Sequence, residues 1–149
     1  MNLLSVLESY TKRRERIGLF IPDNDELVKE IACACKKGGL AVKNNKNRCL
    51  CEKDHARRFD AVIAHPHDYK NSEGCWYFIR YAAMRSPDTL FYIMAIRTPE
   101  RREAIGDLDN VVYLENDVYR FFKYPADTIR ADIAAFKAKY SAQHNMMMR

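Results

Sequence analysis

Apolar residues in this chain fall into short unbroken runs. Between the runs lie longer stretches in which apolar positions recur three or four residues apart. The first run, Ile17-Gly18-Leu19-Phe20-Ile21, is closed by Pro22 and Asp23. Five apolar residues bounded by turn formers fit a buried strand rather than a helix. Runs of the same kind occupy Leu40-Ala41-Val42, residues 59–64, residues 90–96 and residues 111–114. None alternates apolar with polar, the pattern of strands covered on both faces. The stretches between them carry helical stripes. Leu3, Leu4, Leu7 and Tyr10 mark a leading helix, and Leu27, Val28, Ile31, Ala32 and Cys35 mark a second, capped by Asp23 or Asn24 and ended by Gly38-Gly39. Ser72 and Glu73 open a helix carrying Trp76, Phe78, Ile79, Ala82 and Ala83, which stops before Pro87. Thr98-Pro99-Glu100 starts a short helix that ends near Gly106, and residues 117–141 are helical in pattern but interrupted at Pro125. Residues 43–58 are polar and basic, a loop with one short element expected around Arg48 to Cys51.

The order is a leading helix followed by five repeats of strand and helix. Parallel neighbours need crossovers, and crossovers are right-handed, so this alternation predicts a parallel sheet with helices on both faces. The expected architecture is α/β: a single three-layer, doubly wound domain with a five-stranded parallel sheet of flavodoxin-like order. The expected boundaries are an N-terminal helix over 1–15, the α/β domain over 16–142, and a flexible tail over 143–149.

Composition narrows the class. Of 149 residues, 48% are hydrophobic and 30% charged, a globular balance with no apolar run near membrane-span length. The basic residues near the N-terminus follow a short apolar stretch, the reverse of a secretory signal, so the expected compartment is the cytoplasm. Five cysteines without such a signal predict reduced thiols. The net charge of +5 is concentrated in two clusters, Lys12, Arg13, Arg14 and Arg16, then Lys36, Lys37, Lys43, Lys46 and Arg48. Clusters of this kind attract phosphate backbones. They also occur as plain solvated surface.

In an open α/β sheet the ligand crevice lies beyond the carboxyl ends of the strands, where strand order reverses. Asp23 and Asp25 follow the first strand, and His65, His67 and Asp68 follow the third. Carboxylates and imidazoles meeting there could hold a divalent cation or exchange a proton. As plain structure, the same residues are helix caps and solvated loop positions. His65-Pro66-His67-Asp68 falls short of a binuclear zinc motif, with its Asp one position early and its final His absent. Cys33 and Cys35, with Cys49 and Cys51, form two Cys-x-Cys pairs. However, Cys33 and Cys35 stand about 200° apart on a helix, which predicts packing rather than a shared metal. There is no glycine-rich phosphate loop and no nucleophile elbow.

From Arg16 to about Phe136 the chain resembles a response-regulator receiver domain. The resemblance is carried by RIGLFIPDNDELVKEI, RFDAVIAHP, SPDTLFYIMAI and FFKYPADTIRADIAAF. It implies a fold with an acidic pair after the first strand, a phospho-accepting Asp ending the third, a hydroxyl residue ending the fourth, and a Lys before a Pro. Here Pro22 and Asp23 stand at the acidic pair, His65 at the phosphoacceptor and Ala95 at the hydroxyl position. Lys123 stands for the lysine, separated from Pro125 by Tyr124. Residues 59–96 also resemble nucleoside deoxyribosyltransferases and TIR-like folds. By that alignment Phe78 takes the place of the catalytic Glu.

Three functional readings follow. The first is a non-enzymatic, phosphorylation-independent receiver-like module that binds another protein and needs no cofactor. Its contact candidates are Tyr113, Tyr119, Phe121, Phe122 and Tyr124, since aromatic residues are enriched at interfaces. The second is a nucleotide- or nucleoside-binding protein using Asp23, His65, His67 and Asp68. The third is a nucleic-acid-associated protein using Arg13, Arg14, Lys43 and Lys46.

Overall fold

The computed structural model describes residues 15–21, 25–44, 55–64, 72–94, 98–114 and 125–147, without the side chains of residues 25, 55, 72–78, 101 and 144–147. Five strands form one parallel sheet: β1 (Arg16–Phe20), β2 (Ala41–Asn44), β3 (Ala61–Ala64), β4 (Leu90–Ile93) and β5 (Val111–Tyr113). They stand in the order β2-β1-β3-β4-β5. The helices are α1 (Asp25–Lys37), α2 (Ser72–Arg85), α3 (Pro99–Ile105) and α4 (Pro125–Met147), with a 3-10 helix at His55–Arg58 before β3. This is the five-stranded, doubly wound architecture that the alternating runs predict.

The pleat sorts the strand residues between two cores. Ile17, Leu19, Ile63 and Tyr92 point to one face, where Val28, Ile31 and Cys35 of α1 and Ile129 and Ile133 of α4 cover them. Phe20, Val62, Phe91 and Ile93 point to the other, under Ile79, Ala82 and Ala83 of α2 and Ile105 of α3. All four residues of β3 and of β4 are buried, as central strands require. β2 lies at an edge and is half-buried to exposed. That position explains why it runs on through Lys43 and Asn44, two polar residues past the apolar run: an edge strand tolerates them.

Tyr92 and Cys35 bring titratable groups into the first core. The Tyr92 hydroxyl donates to the Asp132 carboxylate at 2.6 Å, tying β4 to α4. Burial, then that hydrogen bond and the carboxylate's charge, hold the phenol far above its ordinary pKa. Cys35 is fully buried and Cys33 exposed, the opposite sides that their spacing predicts. Burial pushes the Cys35 thiol up to about 11 from 9.0. A folded-state pKa above the unfolded value means stability that is complete below pH 9 and lost as the pH rises toward 11. Two pKa units correspond to about 3 kcal/mol. Urea midpoints at pH 8 and pH 10.5 are therefore expected to fall further for the native chain than for Cys35→Ala.

Other expectations shift by a few residues. β3 begins at Ala61 rather than at Phe59, because Asp60 is spent on the turn, accepting the Arg16 amide at 2.8 Å. A 3-10 helix at His55–Arg58 precedes β3, and the short element expected around Arg48 to Cys51 lies outside the described residues. The expected helix over 1–15 also lies outside them, apart from Glu15. α4 continues to Met147, past the tail boundary drawn at residue 143. Among the described residues no helix is long and apolar enough to cross a membrane.

Candidate functional site

The carboxyl edge of the sheet is defined by register. Phe20 pairs with Ala64, Ala64 with Ile93, and Ile93 with Tyr113. β1 has β2 on one side and β3 on the other, so strand order reverses between β1 and β3. The chain leaves β1 through Ile21 into Pro22-Asp23-Asn24, and leaves β3 directly into His65. The two segments singled out for chemistry therefore depart from adjacent strand ends at the same level. Asp23, His65, His67 and Asp68 themselves lie outside the described residues, as does the side chain of Asp25 at the start of α1. Ala95 and Lys123 lie outside them too.

Of the aromatic contact candidates, Tyr113 is half-buried and packs against the core beneath α2 and α3. Tyr119, Phe121, Phe122 and Tyr124 lie outside the described residues. Among the described residues the exposed large hydrophobic side chains are Tyr81, Met84, Val112 and Tyr140. Arg85 lies over the Tyr81 ring at 5.1 Å and donates to its hydroxyl. Tyr81 and Met84 sit on the outer face of α2, and Val112 on the edge strand β5. Single apolar residues of this kind carry no pattern along the chain, so sequence reasoning passes over them.

The basic candidates separate as well. Lys43 is exposed on β2, while Arg13, Arg14 and Lys46 lie outside the described residues. The structure gathers a different set at the amino edge of the sheet, in a cavity of about 550 Å³. Arg16, Arg57, Arg58, Arg130 and Lys137 line it, against the carboxylates of Glu15, Asp60 and Asp88. Arg130 Nε donates to Glu15 at 3.2 Å, and Lys137 Nζ to Asp60 at 2.9 Å. Arg57 Nε caps the last turn of α2 through the Arg85 carbonyl at 2.8 Å. These residues are spread from position 16 to position 137, so no local motif announces them.

Cys49 and Cys51 lie outside the described residues. Among the described residues no group of three or more His, Cys, Asp or Glu side chains is placed to hold a metal ion.

No protein-family model matches the chain, and neither does any curated protein. Solved structures do match. The chemotaxis protein CheY4 of Vibrio cholerae superposes with a TM-score of 0.58 at 13% identity, over 80% of this chain and 98% of that one. A protein of Burkholderia pseudomallei named as pilus assembly-related gives 0.57 at 11% identity, over 80% of this chain and 90% of that one. A response regulator of Burkholderia pseudomallei, solved with a phosphorylated aspartic acid, gives 0.50 at 15% identity, over 87% and 75%. The fold is that of a receiver domain. In this chain the residue directly after β3 is His65.

Proposed function

We propose that this receiver-like domain is a regulatory module that works by contacting another protein, without aspartyl phosphorylation. One observation carries the reading. The fold is that of a receiver, and the chain continues from β3 into an imidazole rather than a carboxylate. Phosphoryl transfer to a receiver needs a carboxylate nucleophile, acidic groups to hold Mg²⁺ against the phosphoryl oxygens, and a hydroxyl to follow the new charge. At the matching positions the sequence supplies His65, Pro22 beside Asp23, and Ala95. Regulation then runs through surface contacts, for which the sequence offers Tyr119, Phe121, Phe122 and Tyr124, with Tyr113 only half-buried on β5.

Incubation with acetyl phosphate and Mg²⁺ is expected to leave the intact mass unchanged. A gain of one phosphate that disappears in His65→Ala would instead make His65 a phosphotransfer residue and overturn the reading.

A further inference from the structure

We propose that the cavity at the amino edge of the sheet binds a small ligand carrying two or more linked phosphate groups. It lies at the amino ends of the strands, so the proposal does not rest on the reading given for His65.

The first argument is charge. Five cationic side chains line the cavity against three carboxylates, and two of the carboxylates are already engaged by Arg130 and Lys137. Among the described residues the guanidinium groups of Arg16 and Arg58 have no hydrogen-bond or ion-pair partner, and both residues are exposed. Neither caps a helix, in contrast to Arg57. Two unpaired guanidinium groups brought to one concavity repel each other, and an oxyanion between them removes that repulsion.

The second argument is shape and placement. About 550 Å³ is the size of a small-molecule site rather than of a groove for a chain. Arg130 is anchored by Glu15 and lies over Gly39. Its Nε donates to Glu15, and its Nη2 lies 2.8 Å from where a side chain on Gly39 would begin. Gly39 has a φ of +87°, so the glycine that ends α1 also leaves the space that this guanidinium fills.

The third argument is what the walls lack. Phe59 and Ile133 are buried, so no aromatic face is open for a nucleobase to stack on. Four of the five cations are arginine, whose forked donors match phosphate oxygens. Recognition therefore falls on the phosphates, and inorganic triphosphate and a nucleoside triphosphate are expected to bind alike.

Calorimetric titration of the full chain at low salt tests this, with sodium triphosphate in one arm and adenosine triphosphate in the other. The expected result is one saturable site in both arms, weakened about tenfold or more by Arg58→Gln and again by Arg16→Gln. Arg102→Gln serves as the control. Arg102 is exposed on α3, paired with Asp107 and outside the cavity, so its loss should leave binding unchanged. Binding of the nucleotide alone would overturn the proposal, since recognition would then fall on the base and not on the phosphates. No binding in either arm would overturn the proposal. So would equal weakening by Arg102→Gln, since that would be general attraction to a basic chain. Unchanged thermal midpoints in Arg16→Gln and Arg58→Gln separate lost binding from lost fold.

Discussion

Asn110→Ala is expected to lower the unfolding free energy by about 3 kcal/mol, read as a shift of the urea midpoint with little change of slope. Asn110 is buried, and its side-chain nitrogen lies within hydrogen-bond distance of three carbonyls: Ala83 at 3.0 Å, Ser86 at 3.1 Å and Thr89 at 3.1 Å. Those carbonyls belong to the last turn of α2 and the loop that feeds β4. Its own carbonyl accepts the Phe91 amide at 2.7 Å. Alanine keeps that backbone bond and removes the donors, leaving three carbonyls with less compensation away from water. Each buried group so stranded costs about 1 to 3 kcal/mol, but the three share two hydrogens, and the Ala83 and Ser86 carbonyls keep backbone donors, which sets the sum near the low end of the additive range. Asn110→Asp should cost more, because it sets a negative charge against carbonyl oxygens. A loss under about 1 kcal/mol for alanine would show that water reaches the three carbonyls.

Gly38→Ala is the second large effect expected, again about 3 kcal/mol, here from overpacking. A β-carbon at Gly38 would lie 2.1 Å from the β-carbon of Ala126, where α1 ends against the start of α4. Both atoms are fixed to backbone, so no rotamer change relieves the overlap, and one helix end must move. Ala126→Gly in the same chain should recover much of the loss, and that recovery in a double-mutant cycle distinguishes a packing clash from a backbone effect. The neighbouring Gly39 is needed for a different reason. It takes the left-handed conformation at the end of α1, while the Leu40 amide reaches back to the Cys35 carbonyl at 3.0 Å and the Gly39 amide to Lys36 at 3.0 Å.

The glycine pair illustrates how much of the structure could be read in the sequence. Gly38-Gly39 after a helical stripe marks a helix end, and the helix does end there. Nothing local says that the first glycine is a contact and the second a conformation, because Ala126 is 88 positions away. The strands were legible for a similar reason. β3 and β4 are buried on both faces, and their apolar runs stand out against polar surroundings. β2 runs two residues past its apolar run, because edge strands carry polar residues. Thr89 and Asn110 look like ordinary turn residues in the sequence. In the fold they are buried staples, with the Thr89 hydroxyl donating to the Phe59 carbonyl at 2.9 Å. The same limit applies to charge. Arg16 belongs to a cluster visible in the sequence. Its partners around the cavity come from the 3-10 helix and α4, and only the sheet brings them together.

The way the first core is assembled has a consequence for the order in which the chain is made. α1 and β1 are synthesised early, yet the face they share is completed by Ala126, Ile129 and Ile133 of the last helix. β1 also pairs with β3 across some forty positions, Phe20 to Ala64. On a ribosome, β1 waits for β3 to gain its second neighbour. Val28, Ile31 and Cys35 then stay uncovered on one flank until α4 emerges. Nascent chains stalled before residue 125 should therefore expose an apolar surface that binds chaperones and is cut readily by proteases, and release past residue 133 should close it in a single cooperative step.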